Sequence, residues 1–216
     1  MQRDFTADDL WRILVRNRYE GCLVTAHSAT ERETRWLLEQ ASRHPWIRGV
    51  IGAPLPGVCA VRIRWQPELS LPPMATPIDL MLEVDQLEPA AASLPDVPLA
   101  LVNNAGARYL PGEFALWAKG IDAMARHPHV VVKLSGLINN APGSWAAATY
   151  RPYVQHALAA FGADRVMYGS DWPYCMQTGT WKESMAAFTQ ALGAQPQDVR
   201  DRILGGNATR FYRLPG

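Results

Sequence analysis

Apolar and polar positions along the chain switch between two spacings. Leu10, Ile13, Leu14 and, a turn on, Asn17 recur at helical spacing, with Trp11 and Val15 widening the apolar face, which predicts an amphipathic opening helix. Thr6 followed three residues later by Asp9 has the form of a capping box with Asp in place of the usual Glu or Gln, so the helix starts there. From Gly21 the pattern becomes a short continuous apolar run, CLVTA at 22–26. It reads as a buried strand ending at His27. A polar stretch then leads into WLLEQASRHPW at 36–46, a second amphipathic helix.

The alternation persists to the end of the chain. Residues 47–55, 58–65, 77–82, 99–104, 130–136 and 165–171 predict six more strands, seven in all. Helical segments fall at 84–94, where Pro89 limits the run, at 113–127 and at 150–162. Continuous apolar strands separated by helices imply a parallel sheet covered on both faces. One link breaks the rhythm: QPELSLPPMAT at 66–76 has three prolines and no helical period, so no crossover helix fits there. No composition shift marks a boundary, and residues 1–216 are read as one domain.

Charge narrows the partners. Lys and Arg total 21 against 20 Asp and Glu, a formal net charge of +1, which excludes a polycation built to neutralise a phosphate backbone. With 48% hydrophobic and 19% charged residues, the chain is no disordered polymer. Cys22, Cys59 and Cys175 are odd in number and far apart, so they read as reduced, buried thiols. No apolar stretch approaches a membrane span, and the N-terminus lacks a signal-peptide core. A cytoplasmic protein that binds neither nucleic acid nor membrane is the expectation.

The sharpest local motif is YGSDWP, residues 168–173. Asp171 closes an apolar strand, and the C-terminal ends of parallel barrel strands carry active sites; Trp172 is placed to screen its carboxylate from bulk water. The bland alternative is an Asp that caps the following loop. Arg62 and Arg64 lie two apart on one strand and so share a face, an anion-binding pair or a frayed, exposed strand end. His27 is a general base, a substrate donor or a hydrogen-bonded structural residue. Asn103 and Asn104 end another strand, and one of them should face the mouth. Lys133 is a lone charge inside VVVKLSG, which must pair with a buried carboxylate or reach the mouth. A Gly-rich phosphate loop, a G-x-S-x-G elbow and an H-E-x-x-H helix are all absent from the sequence.

The runs HPHVVVKLSGL, FGADRVMYGSDWP and ILGGNATRFYRL, together with DFTADDLWRIL, residues 29–52 and AVRIRW, resemble the amidohydrolase-related family of lactonases and decarboxylases from about residue 4 to residue 214. The resemblance implies a (β/α)8 TIM barrel whose mouth hydrolyses small cyclic esters or decarboxylates aromatic acids. It implies that Asp171 activates water or binds a metal, and that Arg62 contacts a substrate carboxylate. Two departures stand out. Members of the family begin with a strand bearing an HxH pair, whereas this chain opens at what would be the first helix. Where the family tends to close its sixth strand with histidine, this chain has Asn104. A catalytic zinc uses about three protein ligands, so Asp171 alone holds no metal firmly, and zinc or manganese is expected at most weakly bound.

The expected fold is therefore an incomplete TIM-like barrel of about seven parallel strands with the first strand missing. The expected function is lactone hydrolysis, with Asp171 as general base. Arg62 or Arg64 would bind a substrate carboxylate, and His27, Asn104, Lys133 and Trp172 would line the substrate. The alternatives are a degenerate family member kept as a binding protein and a metal-dependent decarboxylase. Exposed sheet edges would favour a homodimer.

Overall fold

A computed structural model describes residues 4–68, 75–141 and 146–215. Its elements in order are α1 (Ala7–Arg16), β1 (Cys22–Thr25), α2 (Glu31–Arg43), β2 (Ile47–Gly52), β3 (Ala60–Arg64), β4 (Ile78–Met81), α3 (Leu87–Ala91), β5 (Leu99–Leu101), α4 (Glu113–Ala125), β6 (Val130–Leu134), α5 (Leu137–Asn140), α6 (Ala147–Phe161), β7 (Val166–Tyr168), α7 (Trp181–Leu192), α8 (Gln197–Asp201) and α9 (Asn207–Phe211). All seven predicted strands are present, each shorter than the apolar run that predicts it. They form one parallel sheet in the order β1 to β7, curled as a barrel short of one strand. Among the described residues, β1 and β7 are each paired on one side only.

Local sequence explains the helix starts. Thr6 accepts from the Asp9 amide at 3.3 Å and Asp9 Oδ2 accepts from the Thr6 amide at 3.1 Å, the capping box read from the sequence. α7, a helix outside the three segments predicted between the later strands, begins the same way, with Thr180 and Glu183 exchanging bonds of 3.2 and 2.8 Å. The segment around Pro89 divides into a 3-10 turn at Val84–Gln86 and the short α3, because proline has no amide to donate. Of the proline-rich link, residues 69–74 lie outside the described residues, and 66–68 with 75–76 contain no helix.

The core lies on both faces of the sheet. Outside the sheet, Trp117, Tyr150, Phe188, Leu87 and Ile121 are fully buried between strands and helices. Inside it, Ile51, Ala60, Ala100, Val131 and Met167 pack around Tyr212, which comes from the C-terminal segment after α9. The segment is anchored by Asn207, whose Nδ2 donates to the Ala163 and Val166 carbonyls at 2.7 Å each. Tyr212 thereby plugs the base of the barrel and leaves the opposite end, the C-terminal ends of the strands, as the open mouth.

Candidate active site

A cleft of ≈ 1530 Å³ runs from this mouth down the seam between β1 and β7. Its lining includes His27, Arg62, Asn103, Lys133, Asn139 and Asp171. Every one of these lies at or beyond the C-terminal half of a strand, where the rising backbones converge.

Asp171 lies three residues past β7, not within it, and has φ of 57°. A non-glycine residue in that region is strained; its carbonyl accepts from Cys175 at 2.8 Å, which ties down the turn. Asn139 donates to Asp171 Oδ2 at 3.0 Å. Burial pushes the Asp171 carboxyl above its ordinary range, while the Asn139 hydrogen bond, Arg62 and His27 pull it part of the way back. Trp172 lines the cleft beside it, edge-on to Phe5 at 5.4 Å.

Arg62 reaches the mouth from β3. Its Nε contacts Met81 Sδ at 3.0 Å and one amino group reaches the Ala26 carbonyl at 3.4 Å. Among the described residues no carboxylate comes within ion-pair distance of its guanidinium, although Asp79, Asp171 and Glu33 act on it at longer range. Burial lowers its pKa, so the cation is held in a partly dry place. His27 sits on the loop after β1, stacked on Tyr174 at 5.0 Å. Glu33, from the first turn of α2, fixes that loop by accepting from the His27 and Ser28 amides at 2.6 and 2.9 Å.

Three predicted site residues stand differently. Arg64 does extend beyond Arg62 along the same face, but its side chain is 59% exposed and pairs with Glu83 at 3.5 Å. It belongs to the rim, where Glu83 also holds Arg108 at 2.5 Å, and forms no buried pair with Arg62. Asn104 turns away from the mouth and is fully buried. Its Nδ2 donates to the Tyr109 hydroxyl at 3.0 Å and its carbonyl accepts from Trp117 at 2.9 Å. Asn103 takes the mouth position instead, with Ser135 Oγ donating to its Oδ1 at 3.4 Å. Left-handed backbone at Asn103, Asn104 and Ala105 makes the swap, and Gly106 follows where a Cβ would strike the Leu82 carbonyl oxygen at 2.3 Å. Lys133 is paired with Asp79, as the structural reading of a lone strand lysine requires. Asn139, Ser135 and Tyr174 were not foreseen. Only their place just past predicted strands or beside YGSDWP could have flagged them.

Metal binding is a question of donors. Among the described residues no three His, Cys, Asp or Glu side chains lie together. A catalytic zinc uses about three protein ligands, and among the described residues His27 is the one imidazole that acts on Asp171. The donors present do not fit a firmly held ion.

The amidohydrolase family profile matches residues 4–214. The chain belongs to the amidohydrolase family. Its relatives include an L-fucono-1,5-lactonase from Burkholderia ambifaria, 28% identical over 98% of this chain and 86% of that protein. A crystal structure of an amidohydrolase from Burkholderia multivorans with bound zinc superimposes with a TM-score of 0.86 at 23% identity, covering 99% of this chain and 90% of that one. An amidohydrolase from Bifidobacterium longum subsp. infantis gives 0.76 at 21% identity, over 100% and 89% of the two chains. At that identity the structural likeness speaks for the fold, a TIM-like barrel. Among the described residues no helix of this family member is long and apolar enough to cross a membrane.

Proposed function

We propose that this amidohydrolase opens a small lactone by adding water. The carrying observation is that Asp171 and Arg62 line one cleft in complementary states: a carboxylate made more basic by burial, and a half-buried cation that no carboxylate of the described residues pairs with. In this reading Asp171 takes a proton from water as the water oxygen bonds to the ring carbonyl carbon. Arg62 meets the negative charge that develops on the carbonyl oxygen. The intermediate collapses, the bond between acyl carbon and ring oxygen breaks, and Asp171 returns the proton to the leaving alkoxide. The product is a hydroxy acid. His27 is placed to contact substrate, and Trp172 to limit bulk water.

The finer assignments belong to the same proposal. Arg62 offers a seat for one substrate carboxylate, whereas Arg64 is engaged by Glu83. Since the donors do not fit a tightly held ion, no step passes through zinc or manganese. A cytoplasmic location and a homodimer complete the reading. A decarboxylase and a silent binding protein are not favoured, because the family and its lactonase relatives point to lactone hydrolysis. The test is Asp171→Asn assayed against a panel of sugar and carboxylated lactones: loss of turnover supports the mechanism, and an undiminished rate sinks it.

A further inference from the structure

Below the mouth, the barrel interior holds a second charged cluster. Asp79 on β4 is fully buried. Its Oδ2 faces the Lys133 ammonium, and its Oδ1 accepts from the Tyr212 hydroxyl at 2.5 Å. The Tyr212 ring also lies against the ammonium, 5.4 Å from its centroid. Lys133 is in register with Met167 on β7, four residues before Asp171, so it rises from the floor of the cleft and not from its rim.

An ammonium carries three donors. Lys133 spends one on Asp79, and among the described residues no second acceptor is in reach. Its side chain is 14% exposed and lines the cleft. Asp79 pins one side of the ammonium and Tyr212 another, so the remaining N–H bonds face the cleft. The charge of Lys133 is already balanced by Asp79, which would itself repel a carboxylate placed there. Arg62, with no ion pair, is the better seat for negative charge. What the Lys133 N–H bonds suit is an uncharged oxygen with free lone pairs.

We propose that Lys133 binds a ring hydroxyl of the substrate, with Asp79 and Tyr212 as its positioning residues. The inference rests on the lactone reading and narrows it to hydroxylated lactones.

The test measures binding, so that it does not depend on turnover. A trihydroxylated δ-lactam and the bare ring, δ-valerolactam, are titrated calorimetrically into the intact chain; both resist hydrolysis. The hydroxylated ring should bind at least about tenfold more tightly, since a hydrogen bond to a charged group contributes that much. The double variant Lys133→Met with Asp79→Asn removes both charges together and leaves no lone buried ion. It should bring the two affinities within about twofold. Tyr212→Phe keeps both charges and the ring but removes the hydroxyl that orients Asp79, and should lower the preference by about threefold; it carries the test alone if thermal melting shows the double variant unfolded. An unchanged hydroxyl preference in a folded variant overturns the proposal. So does tighter binding of 2-pyrone-4,6-dicarboxylate than of the hydroxylated lactam when that advantage is lost in the same variant, because Lys133 would then be a carboxylate site. Hydroxyl preference that follows Lys133 in a protein that opens no lactone supports this proposal and defeats the lactonase reading. Lactone turnover with a preference that ignores Lys133 does the reverse.

Discussion

At the scale of single residues, the site is defined by two buried charges whose burial is only partly compensated. For Asp171 the net effect is a raised pKa, so the folded protein binds a proton there more readily than the unfolded chain does. The linkage then has a definite sign: stability is lost as pH rises from the ordinary aspartate range through the raised value. Asp171→Asn removes that cost while keeping the shape, so the variant should melt at a higher temperature than the parent at neutral pH while turning over no lactone. Scanning calorimetry beside a lactone assay checks both, and a lower melting temperature would mean that Arg62 and Asn139 outweigh desolvation after all. The same shift places the acid limb of the pH–rate profile above the ordinary aspartate range. Arg62→Met, by deleting a cation that pulls the carboxyl down, should move that limb higher still and cut kcat/KM by about a hundredfold, the usual scale for losing one donor to a developing oxyanion. Dialysis against a chelator should leave the rate within about twofold, since no step in the proposed mechanism passes through a metal. Loss of activity restored by zinc would overturn that mechanism.

At the scale of elements, the strands were legible because each is a continuous apolar run, and a buried parallel strand needs nothing else. YGSDWP was legible as a site for the same reason: a charged residue just past such a run emerges at the mouth. What escaped the sequence was conformation after the strands. Asn103 and Asn104 are equivalent on paper, and only three consecutive left-handed residues put Asn103 in the cleft and Asn104 in the core. Arg62 and Arg64 share a face, yet one lies a step further along, where the sheet ends and Glu83 waits. Asn139 carries no signal of its own, because α5 brings it to Asp171 across 32 residues of sequence. α7 does carry a signal of its own, the capping box of Thr180 and Glu183. The NATRFY run gains a physical meaning here, since Asn207 clips α9 to the start of β7 and Tyr212 fills the barrel base. Asn207→Ala leaves two buried carbonyls without their donor and should destabilise the protein by about 2 kcal/mol, measured by urea unfolding. A change within about 0.5 kcal/mol would show that the clip is dispensable.

At the scale of the whole molecule, the governing feature is the seam. Among the described residues, interior strands β2 to β6 have neighbours on both sides, whereas β1 and β7 each present one unpaired edge to the cleft. Such edges are sites where another chain can pair, and here they flank the same loops that carry His27 and Asp171. α1 and its flanking residues lie along this side through separate ring contacts, Trp11 on Trp46 from the helix, Phe5 on Trp172 before it and Tyr19 on Trp181 after it. Of the residues of α1 only Leu14 is buried, so the helix covers the seam without closing it. Amide exchange follows local opening free energy. The amides of β1 and β7 should therefore exchange at least about tenfold faster than those of β4 and β5 in dilute protein, a difference of about 1.4 kcal/mol or more in opening. If the proposed homodimer forms by covering these edges, their protection should rise with protein concentration in step with the dimer mass seen by sedimentation, while β4 and β5 stay unchanged. Protection that ignores concentration while a dimer forms would place the interface elsewhere. Uniform protection across all seven strands of a monomer would show that α1 alone seals the seam.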